Sequence, residues 1–346
     1  MTNKRTKFPS ELRFDLISKD WVLIATGRAK RPETFKRDTK RKKTGLAKSK
    51  CPFCNIESQE KPLLIFCNGE RTAVKNGNKI PSNWTTAVIP NKYPAVIPSQ
   101  KLDEQTEGNL YQTMNAVGFH EVVVTRDHNK QLAQLSVELI KEVIDMYQLR
   151  YLELKNKKFV NYISIFHNHG FEAGASLIHP HSQIITTPLI DADLRKALVN
   201  SKNYYEIYKE CIYCKMNDWE RKSPKRIVYE NRDFLTICPF ASKAAFEVII
   251  SPKKHLSYFE EITEEEKFSL AEAFRVVLSK LYRGLNDPAY NFYLHNPPCD
   301  KKNYEHYHWH WTILPKTATW AGFEIGTGME ISTIEPEKAA EYLRKQ

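Results

Sequence analysis

The feature that most constrains this chain is an ordered set of residues that occurs twice. Cys51-Pro52-Phe53-Cys54 opens one set and Cys211-Ile212-Tyr213-Cys214 opens the other. A β-branched run follows in each, Glu121-Val122-Val123-Val124-Thr125 and Glu247-Val248-Ile249-Ile250-Ser251, and reads as a strand. Each run ends near a histidine, His128 or His255, and eight residues later comes a helix N-cap, Ser136 or Thr263. Thr263 with Glu266 makes a capping box, which satisfies two helix amides that otherwise lack partners. Leu139, Ile140, Val143, Ile144, Tyr147 and Tyr151 then recur at helical spacing. So do Phe268, Ala271, Phe274, Val277, Leu278 and Leu281 in the second set. Further strands start at Asn161-Tyr162-Ile163 and Asn291-Phe292-Tyr293 and lead to His167-Asn168 and His295-Asn296. The sets close on His179-Pro180-His181 and His308-Trp309-His310. The offsets are 127 (128 to 255), 127 (136 to 263) and 129 (179 to 308). So many features in one order imply a duplication. The sequence predicts an α+β chain of two tandem units, residues 1–200 and 201–346, each an antiparallel sheet with a long helix. The stretch 56–83, polar and Asn/Lys-rich, reads as a loop inserted in the first unit.

Each set contains Cys-x-x-Cys, a histidine after a strand, and the first histidine of His-x-His. Two thiolates and two neutral imidazoles make a closed tetrahedral zinc site, which is structural because no position is left open. The first quartet is Cys51, Cys54, His128 and His179; the second is Cys211, Cys214, His255 and His308. His306 is an alternative to His308. His120 is an alternative to His128, but it precedes the strand where the repeat places the ligand after it. Cys67, Cys238 and Cys299 have no partners by spacing.

That leaves His181 outside the metal sets. In His179-Pro180-His181-Ser182-Gln183, residues two apart on an extended segment share a face, so His181 and Gln183 lie together. A neutral imidazole can attack a phosphorus ester at neutral pH and form a labile N–P bond. The Gln183 amide can donate to a non-bridging phosphoryl oxygen. An amide does not shuttle protons, so the pair favours transfer to a second phosphate over hydrolysis. Ser176 in Gly174-Ala175-Ser176, Asn168, and Arg28 and Arg31 in Gly27-Arg28-Ala29-Lys30-Arg31-Pro32 are candidate ligands for diphosphate oxygens. In the second set Thr312 replaces the glutamine after His310, so no second nucleophile is expected there.

The net charge of +11 favours anionic partners, either nucleic acid or small phosphorylated molecules. Much of it lies in Lys36–Lys50, which reads as a solvated loop. A zinc-stabilised nucleic-acid-binding protein is the non-enzymatic alternative, but Glu264-Glu265-Glu266 interrupts any continuous basic stripe. His167-Asn168-His169 lacks the flanking pattern of an HNH nuclease. No membrane span or signal peptide is expected. Seven cysteines with two Cys-x-x-Cys pairs point to a reducing, cytoplasmic setting.

Taken together, these residues resemble the galactose-1-phosphate uridylyltransferase family, the transferase branch of the histidine-triad superfamily, in which Gln stands for a third His. The resemblance runs from Trp21-Val22-Leu23 through Cys51-Pro52-Phe53-Cys54 to Asp127-His128. It is densest at Gly174-Ala175-Ser176 and His179 to Gln183. It implies tandem histidine-triad-like units, a homodimer, and double displacement. In that reaction a nucleotide sugar such as UDP-glucose gives its nucleoside monophosphate to His181, and a second sugar 1-phosphate removes it. It implies that Phe53 and the Asn91-Lys92-Tyr93-Pro94 turn border base and ribose. Glu324, Gly326 and Thr327 in Gly322–Gly328 would border the hexose. Two features depart from the galactose enzyme: Ser182 stands where Gly is usual, and the second Cys-x-x-Cys is present. Both resemble the ADP-glucose phosphorylase branch, which transfers adenylate to inorganic phosphate.

Overall fold

The computed structural model describes residues 10–25, 48–72 and 80–346. Arg28, Arg31 and most of the Lys36–Lys50 run lie outside the described residues, and Lys48–Lys50 form a single exposed helical turn. The main body is one antiparallel sheet of eleven strands. Its second-half side runs β11 (Ile227–Glu230), β12 (Phe234–Ile237), β13 (Val248–Pro252), β15 (His310–Pro315) and β14 (Tyr290–His295). The order continues through β9 (Tyr162–His169), β10 (His181–Thr187), β8 (His120–Thr125), β5 (Thr86–Pro90), β3 (Leu64–Cys67) and β4 (Glu70–Thr72). A small sheet joins β1 (Glu11–Phe14), β2 (Trp21–Ile24) and β16 (Ile331–Ser332). β6 (Glu104–Glu107) and β7 (Tyr111–Met114) form an exposed hairpin.

The two long helices form where the periodic residues and caps place them. α1 (Val137–Leu154) starts at Ser136, whose side chain accepts from Leu139 N–H. α4 (Glu264–Leu285) starts at Thr263 with the complete capping box and ends at Asn286 in the left-handed region. Both pack on one face of the sheet. The core there includes Val123, Ile163, Ile165, Ile184, Ile250, Phe292, Trp311 and Ile313, with Tyr147, Tyr151, Phe274 and Leu281 from the helices. Each large side chain so buried contributes about 1.5–3 kcal/mol relative to exposure. A buried ion pair fixes α1 to β8: Arg150 Nε and Nη2 donate to both oxygens of Glu121, at 2.7 and 2.6 Å. α2 (Ala192–Tyr208), α3 (Ile212–Lys222), the exposed α5 (Gly322–Thr327) and α6 (Pro336–Arg344) complete the chain.

Strand registers correct the alignment of the two halves. Ser182 pairs with His167, and Trp311 pairs with Leu294. Since 182 and 311 both follow the second histidine of their motif, His167 corresponds to Leu294, an offset of 127 (294 − 167). The counterpart of Asn168 is therefore His295. The shared His-Asn dipeptide misleads by one residue, and the shared Asn at 161 and 291 by three. With that offset, the seam pairs Phe166 with Tyr293, which are equivalents of one another. The units thus meet across a local two-fold axis, as two copies would in an isologous dimer.

The expected loop over 56–83 is also corrected: it contains β3 and β4. Cys67 pairs with Glu70 across Asn68-Gly69, both with positive φ (51° and 85°), the geometry of a two-residue hairpin turn. The buried carboxylate of Glu142 on α1 receives this hairpin, accepting from Gly69 N–H at 2.8 Å and from Thr86 Oγ1 at 2.6 Å. Residues 73–79 lie outside the described residues.

Candidate active site

The face of the sheet opposite α1 and α4 carries the polar constellation. β10 begins at His181, and its odd residues face away from the helices. Register sets His181 beside Val124, Gln183 beside Val122 and Ile185 beside His120. Below them, a separate apolar cluster of Cys51, Phe53, Ile56, Trp84, Val122 and Val124 supports the Cys-x-x-Cys turn.

The ring of His181 is largely enclosed. Its Nδ1–H donates to His179 O at 2.9 Å, which leaves Nε2 as the free lone pair. Burial pushes its pKa down, against a smaller opposing effect of that carbonyl, so the ring is neutral at pH 7. Phe53 packs on it with centroids 5.0 Å apart. Between the two site residues, Ser182 points into the helical layer. There its Oγ lies 2.5 Å from Tyr147 OH and 3.1 Å from His167 Nδ1. His167 stacks on Phe292, and burial lowers its pKa well below the ordinary value.

Four donors, Cys51, Cys54, His128 and His179, converge behind this strand, and Cys211, Cys214, His255 and His308 converge in the second half. Within each quartet all ligand atoms lie within 4.8 Å of one another, so both groups could hold a metal ion. Tetrahedral zinc, with bonds of roughly 2.3 Å to sulfur and 2.05 Å to nitrogen, requires S···N of about 3.5 Å and N···N of about 3.3 Å. The first quartet has Sγ···Nδ1 separations of 3.2 to 3.5 Å and Nδ1···Nδ1 of 3.3 Å. In the second, Cys214 Sγ lies 3.3 Å from His255 Nδ1 and 3.4 Å from His308 Nδ1. His179 Nε2–H donates to Thr125 O at 2.7 Å and His308 Nε2–H to Pro252 O at 3.0 Å. Those bonds leave Nδ1 unprotonated and aimed at the ligand position. His306 lies outside the quartet, with its ring by Tyr304.

The other expected site residues are placed unevenly. Asn168 shares the His181 face and accepts from Asn291 Nδ2 at 2.8 Å; Gly174, at φ +86°, turns the chain beside it. Ser176 is exposed on the loop that enters β10. Asn91 follows β5 directly, and its Oδ1 accepts from Tyr93 N–H at 2.9 Å. Glu324, Gly326 and Thr327 lie on α5; Glu324 Oε2 accepts from Ala321 N–H at 3.0 Å and Thr327 Oγ1 donates to Phe323 O. Among the described residues, no hydrogen bond or ring contact joins α5 to His181. One residue not expected in the reacting face is present: His120 Nε2 lies 2.8 Å from Gln183 Oε1. The strict alternation His120, Val122, Val124 was the signal that could have placed it there. A cleft of about 1480 Å³ lies beside this site over the second-half strands. It is lined by Asn168, Phe166, Tyr213, Trp219 and His310, but not by His181.

Two matched units sharing one sheet, with a strand-borne histidine free at Nε2, define a histidine-triad-like fold. The family model "Galactose-1-phosphate uridyl transferase, N-terminal domain" matches residues 1–190, and "Scavenger mRNA decapping enzyme C-term binding" matches 210–325. An ADP-glucose phosphorylase of Arabidopsis thaliana is 33% identical, over 97% of this chain and 92% of its own. A galactose-1-phosphate uridylyltransferase of Thermotoga maritima is 29% identical, over 97% and 98%. Among solved structures, the Arabidopsis thaliana ADP-glucose phosphorylase with bound ADP-glucose superimposes with a TM-score of 0.79 at 29% identity, covering 97% and 99%. A uridylyltransferase structure gives 0.71 at 26%, covering 96% and 97%. The chain belongs to the galactose-1-phosphate uridylyltransferase family and is a nucleotidyltransferase of that kind.

Proposed function

We propose that the protein moves a nucleoside monophosphate between hexose 1-phosphates, as a hexose-1-phosphate uridylyltransferase, through a covalent nucleotidyl-His181. The observation that carries this is the ring itself: neutral, held by its Nδ1–H, with Nε2 free and Gln183 on the same face of β10. Nε2 attacks the α-phosphorus of UDP-glucose. The N–P bond forms, the bond from phosphorus to the oxygen of glucose 1-phosphate breaks, and its electron pair leaves on that phosphate. The acceptor phosphate then takes the nucleotide by the reverse step. The Gln183 amide donates to the phosphoryl oxygen that gains charge. Asn168, Ser176, Arg28 and Arg31 bind the diphosphate, Phe53 and Asn91 border the nucleoside, and Glu324, Gly326 and Thr327 border the hexose.

Zinc fits both quartets by donor set and spacing. It would serve as structure only, holding the Cys-x-x-Cys turns against the strands that carry His181 and His310. The two-unit division at 200/201 remains part of the proposal; it falls inside α2. A homodimer is supported by exposed apolar residues at α5, where Ile325 is 73% accessible. Among the described residues, no helix is long and apolar enough to cross a membrane. Phosphorylated substrates and seven free cysteines support a cytoplasmic setting.

Adenylyl transfer to phosphate is the second reading, favoured by Ser182, by the second Cys-x-x-Cys, and by the Arabidopsis relative. Labelled UDP-glucose and ADP-glucose, presented separately, distinguish the two. Acid-labile, base-stable label on wild-type protein that is absent from His181→Ala identifies both base and nucleophile. Label retained in His181→Ala overturns the assignment.

A further inference from the structure

The hydrogen bonds around Gln183 decide which end of its amide faces the reacting phosphorus. Ala95 N–H donates to His120 Nδ1 at 3.0 Å. A backbone N–H cannot accept, so Nδ1 carries a lone pair and the proton of the neutral ring is on Nε2. From there it donates to Gln183 Oε1 at 2.8 Å. Asn91 Nδ2 lies 2.9 Å from the same Nε2, but with Asn91 Oδ1 engaged by Tyr93 N–H it is an amide NH2 and cannot accept, so Gln183 Oε1 is the acceptor for that proton. With Oε1 engaged, the NH2 of Gln183 is the end left for the His181 side. Without His120 the amide can turn over and offer an oxygen to a phosphoryl oxygen, which repels it.

The second half supplies an internal comparison. Thr312 pairs with Ile249 as Gln183 pairs with Val122, so the offset of 127 holds there too (249 − 122). The counterpart of His120 is then Glu247, whose carboxylate instead accepts from Lys243 N–H. Where the glutamine is replaced, the histidine is replaced as well. His310 nevertheless keeps the same ring geometry as His181, donating from Nδ1 to His308 O at 3.1 Å. The imidazole position is therefore retained in a half without the His120–Gln183 pair.

We propose that His120 is a positioning residue for nucleotidyl transfer: it fixes the rotamer of Gln183 so that an N–H, not a carbonyl, meets the charge developing on phosphorus. It acts through Gln183 and touches no substrate. The proposal rests on the transfer reading, and the experiment separates the two. The rate at which labelled sugar nucleotide marks His181 is measured in single turnovers for wild type, His120→Phe, Gln183→Ala and the double variant. Thermal unfolding and metal content are followed alongside. Loss of one such donor predicts that His120→Phe slows labelling about 10–100-fold, with KM within about 3-fold of wild type. In the Gln183→Ala background the same change should alter the rate by less than about 3-fold, because the group it positions is gone. His120→Gln, which keeps an N–H donor, should restore part of the rate. If His120→Phe does not fold, His120→Asn takes its place in the cycle. Equal losses in both backgrounds, or an unaltered rate in the single variant, overturn the positioning role alone. Absence of label from the wild type overturns the transfer reading and this proposal with it.

Discussion

At the scale of residues, β10 does two jobs on two faces. His181 and Gln183 face the reacting side, while Ser182 between them is anchored to Tyr147 and His167. Ser182→Ala leaves a buried phenol and a buried imidazole nitrogen without that partner. It is expected to lower stability by about 1–3 kcal/mol, read as a shift of the urea midpoint, while labelling of His181 persists. Loss of labelling with an unaltered midpoint would contradict this division of labour. His181 and Gln183 were legible because period-two alternation and elimination of the metal ligands both led to them. His120 was not, since its role depends on Ala95, which lies in a turn distant in sequence. Nothing in the local pattern says that a histidine opening a strand will be held by that turn.

At the scale of elements, α1 matters most, because it meets both the strand carrying His120 and the β3–β4 hairpin. Its link to β8 is the bidentate Arg150–Glu121 pair, with both side chains almost wholly buried. Arg150→Met strands the carboxylate in an apolar layer and should cost about 3–5 kcal/mol, whereas pairing it with Glu121→Leu should recover most of that. Denaturant unfolding of the three variants checks this, and equal stability of single and double variants would refute it. The two long helices, α1 and α4, were legible because capping and periodicity are local signals; α2, α3, α5 and α6 were not read from the sequence. The β3–β4 hairpin was missed although Leu64-Ile65-Phe66 followed by Asn68-Gly69 carries the usual hairpin signal. Composition averaged over the surrounding polar residues hid a run of three apolar ones. The phase of β9 against β14 was misread because dipeptide identity is a weaker guide than pairing register.

At the scale of the whole molecule, duplication was visible in the sequence, but the fusion of both sheets was not. Pairing between distant strands leaves little trace in either strand alone. The quartets belong to this scale, since each ties the start of a unit to its His-x-His strand. Purified protein is expected to hold two equivalents of zinc by elemental analysis. Cys51→Ser should lose one equivalent together with labelling. Cys211→Ser should lose the other and retain labelling, with a lower unfolding temperature in both. Full metal content in either variant would exclude its quartet. The Phe166–Tyr293 pairing on the local two-fold has one more consequence. Each half caps an open backbone ladder that the other would otherwise leave bare. Cutting the polypeptide between the halves should therefore yield fragments that stick to themselves or to each other, and only the reunited pair should recover a soluble enzyme.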